Sequence, residues 1–332
     1  MKKGAFGKIV SAAIVCVLFI ALSIAVSAIG CGGEDAVQND PPPYEPSAPE
    51  ITEEGDEEGS LHRTDGYRYY VHWLKSGDNY IYGRINVPDD FDKDKYYPTI
   101  VMAHGFTATY RVYDPYVMTL TSLGYVCYTF DFAGGSYDSK SDGDFMDMTV
   151  MTEVDDLIAV VDDIKRQDYF NVGELFLMGE SQGGLVASIA AFDIDDLAGL
   201  ILLYPGFSIV EDINEKYNTP SDVPEHNEFL GVEVGRGYVT CLIGPDIYEE
   251  LTKYEGDVII YHGDHDGVIP LSSSVKAEEA YPNAELVVIE NGYHGFRPAH
   301  AYEISLMIDE WIGGRTNTEL SGGTNNHEKA DI

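Results

Sequence analysis

Apolar residues fall along most of this chain in two rhythms, and the alternation between them predicts strands and helices taking turns. Residues 67–73 and 80–85 switch between apolar and polar at every second position and flank Gly77-Asp78-Asn79, which predicts two antiparallel strands joined by a tight turn. Apolar runs at 175–178, 200–204, 258–261 and 286–289, and the largely apolar stretches 99–103 and 126–130, predict core strands. Between 149 and 165 the rhythm changes: Val150, Val154, Leu157, Ile158, Val161 and Ile164 recur every three or four residues, on one face of a helix. Two antiparallel strands followed by alternating strand and helix give an α/β fold, a mostly parallel central sheet with helices on both sides. No period of about 20 to 50 residues recurs, so the chain is not read as a repeat architecture.

Both ends depart from this pattern. Lys2, Lys3 and Lys8 stand at the start of an apolar run over residues 9–29, closed by Ala28-Ile29-Gly30-Cys31. A basic start, an apolar centre and a small residue before a cysteine read as an export signal. The last four residues look like a bacterial lipobox, which implies cleavage before Cys31 and acylation of its thiol; the alternative is an uncleaved membrane helix, since about 20 apolar residues span a bilayer. Either reading tethers the folded part to a membrane outside the cytoplasm through residues 1–31. Residues 32–60 are proline-rich and acidic and bury too little to fold, so they read as a disordered spacer. Residues 314–332 are polar and are expected to be loose, which leaves 61–313 as the folded domain. Within it, residues 205–257 are too long for a bare loop and predict an inserted cap.

The chemistry concentrates at strand ends. Gly179-Glu180-Ser181-Gln182-Gly183 lies between the apolar run 175–178 and the small-residue run 185–191, so a buried strand, a tight turn and a helix surround Ser181. That context marks a nucleophile elbow, where glycines let strand and helix approach while the serine sits on a strained backbone. A serine hydroxyl needs an imidazole to take its proton, and the imidazole needs a carboxylate to fix its tautomer. Both follow, in order, after later strands: Asp266 in the loop 262–270, with Asp264 as the alternative acid, and His294 in the loop after 286–289. Backbone N–H groups of Gln182 and Phe106 are the candidate oxyanion donors, worth about 3 kcal/mol each at the transition state. His104 is read as a brace for the Phe106 loop. His262, His265 and Asp264 lack a fourth ligand for a metal, so no metal site is assigned.

His104-Gly105-Phe106, Phe130-Asp131-Phe132 with a Gly-rich loop, Ser141-Asp142-Gly143 with Met148-Thr149-Val150, the elbow through Gly184, and the Asp266 and His294 loops together resemble the bacterial feruloyl and cinnamoyl esterases of the α/β-hydrolase superfamily. Monoacylglycerol lipases and serine aminopeptidase-like hydrolases are neighbouring branches. The resemblance runs from about residue 67 to 312 and implies an α/β-hydrolase fold with a small cap and hydrolysis of a carboxylic ester. It implies Ser181, Asp266 and His294 as the triad, Phe106 and Gln182 as the oxyanion hole, and, in the cap, Glu225 and Tyr238 near the positions that bind the substrate's ring hydroxyls. Two departures stand out: Ala133-Gly134-Gly135 replaces the usual Gly-His-Gly, and Glu180 replaces the usual histidine before the nucleophile.

Charge and cysteine content narrow the partners. A formal net charge of −37 at pH 7 repels polyanions and argues against nucleic acid as a partner. Cys127 lies in an apolar strand, so a disulfide to Cys241 is not expected. No phosphate-binding or dinucleotide motif is present, and no cofactor is assigned. The expected partner is a small-molecule ester. A lipase, a peptidase, or a non-catalytic module that binds a ligand in the same pocket are the alternatives.

Overall fold

The computed structural model describes residues 57–322, apart from 65 and 245; the signal-like segment and most of the spacer, with Cys31, lie outside the described residues. Its framework is a nine-stranded sheet. In chain order the strands are β1 (Leu61–Arg63), β2 (Arg68–Ser76), β3 (Asn79–Val87), β4 (Tyr97–Ala103), β5 (Val126–Phe130), β6 (Phe170–Glu180), β7 (Leu197–Leu203), then β10 (Val258–Gly263) and β11 (Ala284–Ile289) after a two-stranded hairpin of β8 (Asn227–Phe229) and β9 (Val232–Val234). Across the large sheet the order is β1-β2-β3-β5-β4-β6-β7-β10-β11. The strands from β1 to β5 in that order pair antiparallel, and β5, β4, β6, β7, β10 and β11 run parallel. Every residue of β5 and β10 is buried, which is why both are mostly apolar rather than alternating.

Helices cover both faces. α1 (Asp114–Ser122) and α8 (Pro298–Gly322) pack Tyr116, Val117, Leu120, Ala301, Ile304 and Ile308 on one side. α2 (Val150–Ile164), α3 (Gln182–Ala190) and α7 (Leu271–Ala280) pack on the other. α2 begins where the sequence places it because the Thr149 hydroxyl accepts the Thr152 N–H at 3.0 Å while Thr152 bonds back to the Thr149 N–H at 2.9 Å, a reciprocal cap. Its inner face differs from the apolar reading: Ile158 is only half-buried, whereas Val160, Glu153 and Asp156 are buried. α8 also continues beyond residue 313 to Gly322, anchored where Arg315 pairs with Asp257 and donates to the Ala198 carbonyl at 2.6 Å.

Residues 205–257 carry α4 (Phe207–Lys216), the β8–β9 hairpin, α5 (Arg236–Thr240) and α6 (Ile247–Leu251) between β7 and β10. Cys127 and Cys241 are both unpaired thiols. Among the described residues no helix is long and apolar enough to cross a membrane.

Candidate active site

The parallel strands deliver the site at their C-terminal ends. β6 stops at Glu180, and Ser181 takes φ 51° and ψ −122° before α3 begins. Such a backbone costs on the order of 1–3 kcal/mol for a residue with a side chain. It is held by four main-chain bonds: Ser181 N–H to Leu203 at 3.0 Å, and the Ser181 carbonyl accepting from Gly206 at 2.7 Å, Gly184 at 3.0 Å and Leu185 at 3.3 Å. The flanking glycines are required by space. A Cβ on Gly183 would collide with the Ala103 carbonyl oxygen, and one on Gly179 with that of Gly183.

The loop after β10 carries Asp266, whose carboxylate is inaccessible to solvent. Its Oδ1 accepts from the N–H groups of Val268 and Ile269 at 2.8 and 2.9 Å, and its Oδ2 accepts from His294 Nδ1 at 2.8 Å. Burial pushes the Asp266 carboxyl up, but the His294 hydrogen bond and charge and the two amides outweigh it and hold the group below the usual range. A carboxylate can only accept, so Nδ1 of His294 carries the proton and Nε2 presents its lone pair to the Ser181 Oγ, 3.1 Å away. The competing acid, Asp264, turns outward to His265 at 2.6 Å. His262 is a buried brace: its Nδ1 accepts from the Ser274 hydroxyl at 2.7 Å, its Nε2 donates to the Ile269 carbonyl at 3.1 Å, and burial lowers its pKa.

Phe106 and Gln182 come from the adjoining elements. Gln182 opens α3, so no earlier helical carbonyl faces its N–H, and the helix's positive end lies there. Phe106 follows Gly105 at the end of β4, and the Cβ position of Gly105 is 3.1 Å from the Ser181 Cβ, which brings the two loops into contact. His104 braces this turn, with Nε2 accepting from the Phe132 N–H at 3.2 Å and Nδ1 donating to the Gly105 carbonyl at 2.9 Å. Burial drives its pKa down to about 4, so it stays neutral. Buried Asp131 ties the next stretch down, accepting from Tyr110 N–H at 2.8 Å and Lys140 N–H at 2.9 Å.

Residues 95–228 match the family described as serine aminopeptidase, S33. Est1E from Butyrivibrio proteoclasticus, solved with ferulic acid bound, is similar over 74% of this chain and 99% of its own, at 25% identity and a TM-score of 0.66. A membrane phospholipase A described as a bacterial virulence factor aligns over 75% of this chain and 87% of its own, at 18% identity and a TM-score of 0.55. Mouse alpha/beta hydrolase domain-containing protein 10 aligns over 74% and 98%, at 16% and 0.57. The chain has the α/β-hydrolase fold.

Around the Phe106 loop the fold builds an aromatic wall. The Phe106 ring lies 5.0 Å from Phe229, 5.7 Å from Tyr238 and 5.7 Å from Phe145, and Tyr137 stacks on Phe145 at 4.6 Å. Tyr238 is brought to the elbow, though not with a free hydroxyl: it is fully buried and donates to Gln182 Oε1 at 2.7 Å. Glu225 is exposed and 3.5 Å from Arg236, and no described hydrogen bond or ion pair joins it to Ser181, Asp266 or His294. Sequence reasoning missed Glu153, which accepts from Gln182 Nε2 at 2.7 Å while its Oε1 is buried without a partner. Burial lifts its pKa to about 8 despite that hydrogen bond, so it is protonated at neutral pH. The signal was available: Glu153 falls three residues after Val150 and one before Val154, inside the apolar stripe.

Proposed function

We propose that this hydrolase is a serine carboxylic-ester hydrolase acting through Ser181, His294 and Asp266, with esters of aromatic acids of the feruloyl or cinnamoyl type as its substrates. The observation that carries the reading is the unbroken relay from Asp266 Oδ2 through His294 to Ser181 Oγ, with contacts of 2.8 and 3.1 Å. In this mechanism His294 Nε2 takes the hydroxyl proton as Ser181 Oγ attacks the ester carbonyl. The Phe106 and Gln182 N–H groups receive the charge forming on the carbonyl oxygen. The imidazolium then protonates the departing alcohol, and water, deprotonated by the same imidazole, releases the acid from the acyl-enzyme. Asp266 stabilises the imidazolium at both stages.

The aromatic wall of Phe106, Phe145, Phe229 and Tyr137 supports a flat, conjugated acyl group, as does the likeness to an esterase solved with ferulic acid. A second reading, hydrolysis of an aminoacyl bond, is favoured by the family description over residues 95–228. The test is hydrolysis of methyl ferulate, p-nitrophenyl acetate and aminoacyl p-nitroanilides by the purified protein and by Ser181→Ala. Ester turnover should fall by about 10⁴-fold or more in the variant with its fold intact. An equally active variant would sink the serine mechanism, and faster anilide than ester cleavage would select the peptidase reading.

A further inference from the structure

The residue before the nucleophile is a buried acid that the triad does not use. Glu180 closes β6, and its Oε2 accepts the Tyr204 hydroxyl at 2.5 Å while its Oε1 accepts the Gly105 N–H at 3.4 Å. Both partners are donors, the environment a carboxylate needs. Tyr204, held just past β7 at φ 37° with its N–H on the Tyr261 carbonyl at 2.7 Å, lays its ring 4.7 Å from the ring of His294. Burial outweighs the Tyr204 hydroxyl, the Gly105 amide and the charge of His294, which act in the opposite direction, and leaves the Glu180 pKa raised; those three are the groups that favour its anion.

The surroundings are few and can be named. Asp266 and Ser181 occupy the two nitrogens of His294, and His262 lies 3.5 Å from Asp266. Near Glu180 are Tyr113, donating to the Ala103 carbonyl at 2.8 Å, and Tyr116, whose buried hydroxyl has no partner. No described ion pair joins a lysine or arginine to Glu180, which leaves the imidazolium of His294 as the cation it serves.

We propose that Glu180, resting on the serine mechanism above, is a positioning residue: a second anion set behind His294 through Tyr204, which stabilises the imidazolium while its bond to Gly105 steadies the oxyanion loop. Asp266 and Glu180 then flank the transient charge from two sides. The contribution exists only once the Ser181 proton has moved, so it lowers the barrier without tightening substrate binding.

Glu180→Gln keeps the shape, because the Tyr204 hydroxyl can turn to accept from the new amide. With p-nitrophenyl acetate, kcat should fall by about tenfold with KM unchanged. The acid limb of kcat/KM, recorded from about pH 5 to about pH 9, should move to lower pH. Glu180→Asp, which restores the charge, should recover part of both effects. Tyr204→Phe, which removes the hydroxyl that favours the anion, should shift the limb in the same direction and decides the matter if Glu180→Gln does not fold. Profiles of the folded variants that superimpose on the parent overturn the proposal. Ser181→Ala, run alongside, separates the two ideas: activity surviving there defeats the serine mechanism, whereas its loss beside normal Glu180→Gln kinetics defeats only the role of Glu180.

Discussion

Three buried carboxyl groups, those of Asp266, Glu153 and Glu180, surround Ser181, and the environments of the first two give them opposite charge states. Asp266 meets two amides and an imidazole, which favour the anion. Glu153 meets one amide N–H of Gln182 and is otherwise enclosed, so it holds its proton up to about pH 8. The sign of the second case is checkable. An acid whose folded pKa is raised binds a proton that the unfolded chain has already released, so it destabilises the fold progressively from its unfolded pKa, about 4.5, up to about 8. Glu153→Gln removes that linkage. Its stability relative to the parent should therefore rise by about 1.4 kcal/mol per pH unit between about pH 5 and about pH 8, measured by urea unfolding. A pH-independent difference would show that Glu153 is ionised in the fold. Ser181, Asp266 and His294 were legible in the sequence because each lies in the turn or loop that follows a strand and their order is constrained. An acid inside the apolar stripe of α2 marked Glu153 as unusual, but neither its partner nor that of Tyr204 could be read, because they stand 29 and 24 residues away and only the packing of α2 and β7 around the elbow brings them together.

The elbow depends on how closely strand and helix meet. β6 and α3 are joined with no room for a side chain at Gly183, whose Cα faces the Ala103 and His104 carbonyls of the neighbouring β4 loop. Gly183→Ala should destabilise the domain by about 2–4 kcal/mol and cut turnover sharply, since relief of the clash moves Ser181 away from His294. Chemical unfolding and ester hydrolysis on the same preparation check this, and a variant with parental stability would show that the elbow has slack. Core strands and α2 were readable at this scale because apolar period and capping agree. The β8–β9 hairpin was not, since Asn227–Phe229 and Val232–Val234 are three residues each and carry too short a pattern. The length of α8 was missed for a different reason. Gly313-Gly314 reads as a stop, at about 1 kcal/mol per glycine in a helix, whereas the anchorage of Arg315 lies on remote elements.

At the level of the whole chain, the α/β class followed from the strand and helix alternation, and the order of strands across the sheet did not, because pairing is set by contacts between distant segments. The lipid anchor proposed at Cys31 is open to a direct chemical test. If residues 1–31 act as a lipoprotein signal, Cys31→Ala in the producing cell should yield a precursor that takes up no labelled palmitate, and label on that variant would remove the assignment. The acidic excess, net −37, should keep the protein away from anionic polymers and leave neutral esters free to approach. One contact bears on how they enter. The phenol of Tyr238 in the cap is bonded to the side chain of Gln182, the residue next to the nucleophile. The cap and the first turn of α3 are therefore fastened together beside Ser181. Displacing the cap would break this bond and loosen the helix start that follows the serine, so the cap and the elbow hold their places jointly.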